Sequence, residues 1–430
     1  MIRDNAFTND AKNESKLISW FLLLLNLISA FLISKIDDYS FWFLSLLLVN
    51  MVLSIVFARK INKAVLNISR LLLGLLFIYS GFVKGVDPLG TQFKIEDYFF
   101  AYGMAWAAPL ALILSVLMNA LEFSMGALFF LKVKTKWVSL ISLFVMLFFT
   151  LTTLYDALYS PVPDCGCFGD ALIITNWQTF YKNLVINSFV LIVFIRRFDF
   201  KEYSSKVIEY ATLAIVVFGF IFFETYNINN LPVIDFRPWK VGNYLIPKNP
   251  KPVKYFLTYK NKETGEEREY LSKELPWQDS TFMADWEWLS SREEDPNAGE
   301  MNVFPMVDNE GVDVSKELVS DSNYVFIFSI YNIDDVPRDI VGFMNQFYND
   351  ANTQGCVTVV LNSDLPEDFQ AFKRETSLAD FPIYNSDDTA LKAAVRSNPG
   401  LIVIRKGKVL AKYHYHNFIS LKEILSQLND

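Results

Sequence analysis

The chain has little of what catalysis at neutral pH usually draws on. Its 430 residues include 2 histidines and 3 cysteines. Two imidazoles leave few options for acid–base chemistry, and so few thiolates leave a zinc site half-empty. Its 17 glycines form neither a P-loop nor a dinucleotide fingerprint, and no hydrolase triad is recognisable. Excess positive charge is also missing. The formal net charge is −8, which argues against a nucleic-acid partner because nothing would neutralise phosphates.

Apolar and aromatic residues are abundant instead, at 52% and 16% of the chain. A chain this long is expected to form two or more domains. The apolar residues gather in long runs up to about Tyr226, and charge is dense beyond it. Lys and Arg number 18 against 16 Asp and Glu before Asn227, then 21 against 31 from there on. Seven runs, near 17–34, 40–57, 68–83, 106–131, 137–155, 180–195 and 207–226, are long enough to cross a bilayer, which takes roughly 17–25 helical residues. The first follows Asp4, Asp10 and Glu14 and ends at no small-residue cleavage site, so it does not read as a signal peptide.

Basic residues orient the spans. One set of connections holds Arg3, Lys12 and Lys16, then Arg59, Lys60, Lys63 and Arg70. It continues with Lys132, Lys134 and Lys136, then Arg196, Arg197, Lys201 and Lys206. The alternate set holds Lys35, Lys84, Lys94 and Lys182. This bias predicts a cytoplasmic N-terminus. With seven spans, the acidic second half falls on the outer side, together with the loop "PDCGCFGD" (163–170). In a bacterium that side is the periplasm, where disulfides persist.

The third to sixth spans carry a joint pattern. "RLLLGLLFIYSGFVKGVDPLGTQFKIEDYF" (70–99) and "NALEFSMGALFFL" (119–131) resemble the opening helix, loop and second helix of the DoxX family. "DCGCFGD" before an aromatic helix entry also resembles the related MauE proteins. The likeness covers about 68–197. It implies a four-helix membrane core linked to envelope redox chemistry, thiosulfate and quinone oxidation among DoxX relatives and maturation of a disulfide-rich enzyme for MauE. A quinone is the cofactor this leaves open.

Glu122 falls well inside the fourth span, where a carboxyl is costly enough to need a role. Counting 1.5 Å per residue from Leu131 puts it roughly 13 Å deep, level with Tyr79 and Ser80 of the antiparallel third span. Those hydroxyls are its expected partners, with Asn119 one turn away and Gly74 and Gly81 permitting close approach. Arg70 and Lys84, at the ends of the third span, complete the polar set. It reads either as a hydrogen-bonded clamp or as a proton or quinone contact. Asp87 and Pro88 suit a helix start, and Phe93, Tyr98, Phe99 and Tyr102 mark an interfacial aromatic segment.

Cys165 and Cys167 are one glycine apart, and Gly166 can take the turn that brings them within bonding reach. Three readings stay open: a disulfide pinning the loop, a redox-active pair, or a reduced or metal-bound pair. Asp164 and Asp170 flank them, and no cation is near in sequence to stabilise a thiolate.

The second half reads as α/β. An extended exit through Pro232 and Pro238 leads to a hairpin, "VKYFLTYKNKETGEEREYL", turning at Thr264-Gly265. An aromatic stretch, "PWQDSTFMADWEWLSS", covers it, and "EEDPNAGE" is a polar loop. From about Asn302, "VFPMVDNEGVDVSKELV" reads as strand, turn, strand. Buried strands follow at "YVFIFSI" and "CVTVVLN", helices at "PRDIVGFMNQFYNDANT" and "LPEDFQAFKRET", and a hairpin turns at Lys406-Gly407 before a last helix. This order resembles the thioredoxin-like fold over about 303–429, with Pro399 at that fold's cis-proline position. Where that family carries its redox cysteines, this chain reads "IYNIDD" (330–335), so the resemblance implies a binding module that has lost its chemistry. Cys356 reads as buried and inert, or alternatively as a resolving thiol for Cys165 or Cys167. His414 and His416 share a strand face and read as exposed edge residues rather than metal ligands.

The expected architecture is an α-helical membrane bundle of about seven transmembrane helices, containing a DoxX/MauE-like four-helix core, plus a periplasmic α/β thioredoxin-like domain. The expected divisions are a hairpin at 1–67, the core at 68–197, a seventh helix at 198–230, a hairpin linker at 231–301 and the thioredoxin-like domain at 302–430. The expected function is an inner-membrane accessory of periplasmic thiol/disulfide or quinone-linked redox or of envelope protein maturation. Cys165 and Cys167 would be the redox pair, and the partners the lipid bilayer and a periplasmic client protein. The other reading is a non-catalytic scaffold whose tail domain binds a partner.

Overall fold

A computed structural model describes residues 2–201, 205–248, 251–276, 279–297 and 301–429. The chain forms two compact units, Met1–Phe236 and Arg237–Asp430.

The first unit is all helix: α1 (Ile2–Ile33), α2 (Phe41–Phe57), α3 (Lys63–Val86), α4 (Pro88–Ala101), α5 (Ala111–Leu131), α6 (Thr135–Tyr159), α7 (Asn176–Ile195) and α8 (Lys206–Asn229). Among the described residues, all but α4 are long and apolar enough to cross a membrane, giving seven spans. α7 is the enclosed centre, with Tyr181 and Val190 wholly buried. α8 turns Ile215, Phe218 and Phe222 outward, as a lipid-facing helix does.

Two spans begin earlier than expected, and the difference matters. Asn62 caps α3 by accepting from the Val65 N–H, and the helix runs to Val86. Arg70 and Lys84, assigned to connections by hydropathy, therefore lie inside it, both buried. Thr175 and Gln178 form a capping box that starts α7 at Asn176, so Lys182 sits in its second turn rather than in a loop. Caps set these boundaries, and a hydropathy window does not register them.

α3 and α5 pack with backbones almost touching. A Cβ on Gly81 would come 2.6 Å from the Phe123 nitrogen, and one on Gly126 would come 2.4 Å from the Ile78 nitrogen. Only glycine allows that approach. Gly74 sits likewise against Phe130, so the antiparallel register sets Glu122 level with Phe82. Arg70 crosses to donate to the Phe129 and Phe130 carbonyls at the end of α5, satisfying acceptors that a helix terminus otherwise leaves open. Lys134 pairs with Glu209 at 2.6 Å, tying α8 to the α5–α6 turn.

The second unit holds two sheets. β1 (Lys254–Asn261) pairs with β2 (Glu267–Leu271) as the expected hairpin. The aromatic stretch does not merely cover it. After the short α9 (Ser280–Asp285), β3 (Trp286–Glu294) adds to the other side of β1, giving the order β2-β1-β3. Alternation of Trp286 and Trp288 with charged neighbours was the strand signal. Trp277, Gln278 and residues 298–300 of the polar loop lie outside the described residues.

The larger sheet has the order β6-β5-β4-β7-β8, with β4 (Val325–Ile330), β5 (Val357–Asn362), β6 (Ile383–Asn385), β7 (Gly400–Arg405) and β8 (Lys408–His414). β4, β5 and β6 are parallel, and β7 runs antiparallel to β4. Every β4 residue is buried, which is why the run carries no polar alternation. Around it lie α10 (Ser315–Ser320), α11 (Ile340–Thr353), α12 (Pro366–Thr376), α13 (Asp388–Ala394) and α14 (Leu421–Asn429). This is a thioredoxin-like α/β fold. The expected strand pair near 303–319 is instead a single Val307–Asp313 bridge followed by α10. Asp313 turns the chain there by accepting from the Met306 and Ser315 N–H groups.

Candidate functional site

Cys165 and Cys167 form a disulfide, their Cα atoms 5.5 Å apart. Gly166 between them has φ +64°, a conformation that glycine takes without penalty. The loop is held from three sides. Ser80 of α3 donates to the Cys167 carbonyl at 2.8 Å. Lys94 of α4 pairs with Asp164 at 2.9 Å, and Asp164 accepts from the Gly166 N–H. Phe168 is buried against Tyr79, with the Lys182 ammonium 4.5 Å from its ring centroid.

These contacts amend the charge argument made from sequence neighbours. Asp164 is neutralised by Lys94, 70 residues away, and Lys182 brings a second cation from α7. Lys94 comes from α4, whose start is set as Asp87 and Pro88 suggest. Asp87 accepts from the Gly90 N–H and Pro88 takes the first turn, where its missing donor is harmless.

Beneath the disulfide lies a partly open cavity of about 380 Å³, bordered by α3, α4, α5, α6 and α7. Cys165, Gly166 and Cys167 line it at one end, with Lys84, Glu122 and Lys182 also on its walls. Glu122 does not meet Tyr79 or Ser80. Its partner is Lys84, in direct ion-pair contact and almost fully buried. Counting residues from the helix ends misplaced the α3–α5 register by two to three residues. Ser80 is used by the cysteine loop, and Tyr79 is 48% exposed. Asn119 is fully buried, bonds Ser115, and stands beside Glu224 of α8. Glu224 and Lys182 were both missed. Each is a single charge in an apolar run, and charge in such a run is itself the signal.

At the α4 end, Tyr98 donates to Asp156 at 2.7 Å and Tyr102 approaches the same carboxylate at 3.5 Å. Burial, then the Asp156 carboxylate, pushes the Tyr102 hydroxyl up to about 12 and raises that of Tyr98 further. Both phenols are therefore neutral donors throughout the physiological range.

In the second unit, the position after β4 carries no sulfur. Asn398 accepts from the Tyr331 N–H and donates to the Asn332 carbonyl, and Pro399 follows a cis peptide bond. Cys356 is a free thiol, half-buried, and burial raises its pKa. His414 is buried, not an exposed edge residue, and burial with His416 beside it pushes it down to about 4. β8 ends at His414, and the chain turns so that the ring accepts from the His416 N–H. Among the described residues no group of three or more metal-ligating side chains gathers.

Residues 62–196 match the family model described as Methylamine utilisation protein MauE. No curated protein matches the chain. Similar solved structures include the thioredoxin domain of a thiol-disulfide oxidoreductase from Bacteroides vulgatus, at 15% identity over 30% of this chain and 91% of that one, TM-score 0.23. StoA from Bacillus subtilis is 16% identical over 30% and 96%, also with TM-score 0.23. Reduced Prx3 from Vibrio vulnificus is 13% identical over 29% and 93%, TM-score 0.23.

Proposed function

We propose that this multi-pass membrane protein, with its MauE-like region and thioredoxin-like domain, is a thiol/disulfide exchange accessory for maturation of envelope proteins. The observation that carries the reading is the Cys165–Cys167 disulfide at the end of an intramembrane cavity, flanked by Lys94 and Lys182. Cations near a thiol favour its thiolate, the form that attacks and leaves in exchange. A client dithiol would become a disulfide as Cys165 and Cys167 take its two electrons and two protons. The thioredoxin-like domain, lacking cysteine after β4, would hold the client without reacting with it.

The compartment is part of the proposal: a bacterial inner membrane, with the N-terminus cytoplasmic and the disulfide and second unit periplasmic. The basic-residue bias supports it. Lys84 and Lys182, drawn into helices, leave Lys35 and Lys94 as the only cations of the outer connections among the described residues.

Replacing both cysteines with serine is the decisive test. Client maturation is expected to fall while protein level stays normal, and a Cys167→Ser chain is expected to trap a mixed disulfide through Cys165. Unchanged maturation would leave the other reading, a scaffold whose disulfide only pins a loop.

A further inference from the structure

The chamber beneath the disulfide has a wall that sulfur exchange by itself does not call for. Its charged groups answer one another: Lys84 contacts Glu122, and Lys182 lies in the field of both. What remains is apolar and rich in rings, with Phe77, Tyr98, Phe99, Phe149 and Phe168 among the lining side chains. Cys165, Gly166 and Cys167 belong to the same wall and are also half-exposed. A client thiol that reaches the sulfurs therefore arrives at the edge of the chamber. The volume lies within the range of sites for small organic groups, roughly 300–1,000 Å³, which is room for one large side chain.

Resting on the exchange reading above, we propose that the chamber selects the client, by taking an aromatic side chain next in sequence to the reacting client cysteine. Chain geometry brings that residue there. In a mixed disulfide the two Cα atoms stand about 5.5–6 Å apart, and the next Cα along the client is only about 3.8 Å further. A side chain at that position borders the chamber as soon as the sulfurs bond. A ring there packs edge-to-face or offset against the rings of the wall, and its burial removes apolar surface from water. Atoms and charge balance in the exchange. The client sulfur bonds Cys165 as the Cys165–Cys167 bond breaks, and Cys167 leaves with the proton that the client thiol gave up. The second client thiol then displaces Cys165 in the same way. Met118, which α5 contributes to the wall, determines specificity here, since it sets the room available and takes no part in the sulfur chemistry.

Two reduced dithiol peptides test this, alike except that the residue after the first cysteine is phenylalanine in one and serine in the other. The full chain in phosphatidylcholine nanodiscs is mixed with each under argon. Loss of the Cys165–Cys167 bond is followed by the mass the chain gains on alkylation. Each rate is divided by the same chain's rate with dithiothreitol, which carries no side chain for the chamber. The phenylalanine peptide is expected to react about tenfold or more faster than the serine peptide. Met118→Trp fills the chamber and should bring the first rate down to the second. Met118→Ala enlarges it and should move the preference from phenylalanine toward tryptophan at the same peptide position.

Equal normalised rates for the two peptides overturn the assignment and leave the chamber to a lipid chain. An advantage for phenylalanine that both Met118 variants leave untouched overturns it too, since partitioning of the peptide into the bilayer would then account for the difference. Either outcome leaves the exchange reading standing, because peptide dithiols still reduce the bond. Reduction by dithiothreitol but by neither peptide would sink both.

Discussion

Lys84 and Glu122 show how strongly one side chain can depend on another. Each is almost fully buried, so removing one partner strands a charge in a medium that cannot solvate it. Lys84→Met is expected to lower stability by about 3–5 kcal/mol, read as a fall in the denaturation midpoint of the purified protein. Pairing Lys84→Met with Glu122→Gln should recover much of that, because no charge is then left unpaired. His414 makes a second prediction of opposite character. Its folded-state pKa, about 4, lies below the unfolded value of about 6.5. The unfolded chain therefore binds the extra proton first as pH falls. The stability of the second unit is full above about pH 6.5 and declines by roughly 3 kcal/mol as pH drops to 4. Protection factors of the β7 and β8 amides, taken relative to the intrinsic exchange rate at each pH, should fall over that window. His414→Asn, which keeps an acceptor for the His416 N–H, should flatten the response.

At the scale of elements, the α3–α5 seam is the tightest joint in the first unit. Gly126→Val must push the helices apart, since the new Cβ would meet the Ile78 backbone at 2.4 Å. A loss of about 1–3 kcal/mol is expected, with the Lys84–Glu122 contact broken as a consequence. Gly219 of α8 has open space around it, so Gly219→Ala should be neutral or slightly stabilising. Comparing the two midpoints checks both statements. The same seam shows what could be read from the chain alone. Seven spans, the β1–β2 hairpin and the β4, β5, β7 core were legible because each is a periodic or continuous apolar run. Gly74 and Gly81 were legible as contact points. The register was not, because residue counting gives depth but neither the slide nor the rotation of one helix against another. Lys94 and Lys182 escaped as neighbours of the cysteine loop for a related reason: they reach it through the fold from α4 and α7.

For the whole molecule, sidedness is the property on which the proposed function depends. Once reduced, Cys165 and Cys167 should react with a membrane-impermeant maleimide added outside intact spheroplasts. A cysteine placed at Lys136, in a chain without Cys165, Cys167 and Cys356, should react only after lysis. A reporter joined after Asp430 should be active outside. The opposite labelling pattern would end the envelope assignment.

The buried pair between α3 and α5 also constrains how the protein is made. Alone in lipid, one helix would carry a bare ammonium and the other a bare carboxyl, each expensive to insert. Together they present a neutral surface to the bilayer. The two segments should therefore leave the insertion machinery as a hairpin rather than one at a time, with the first waiting at the lateral gate until the ribosome has delivered the second.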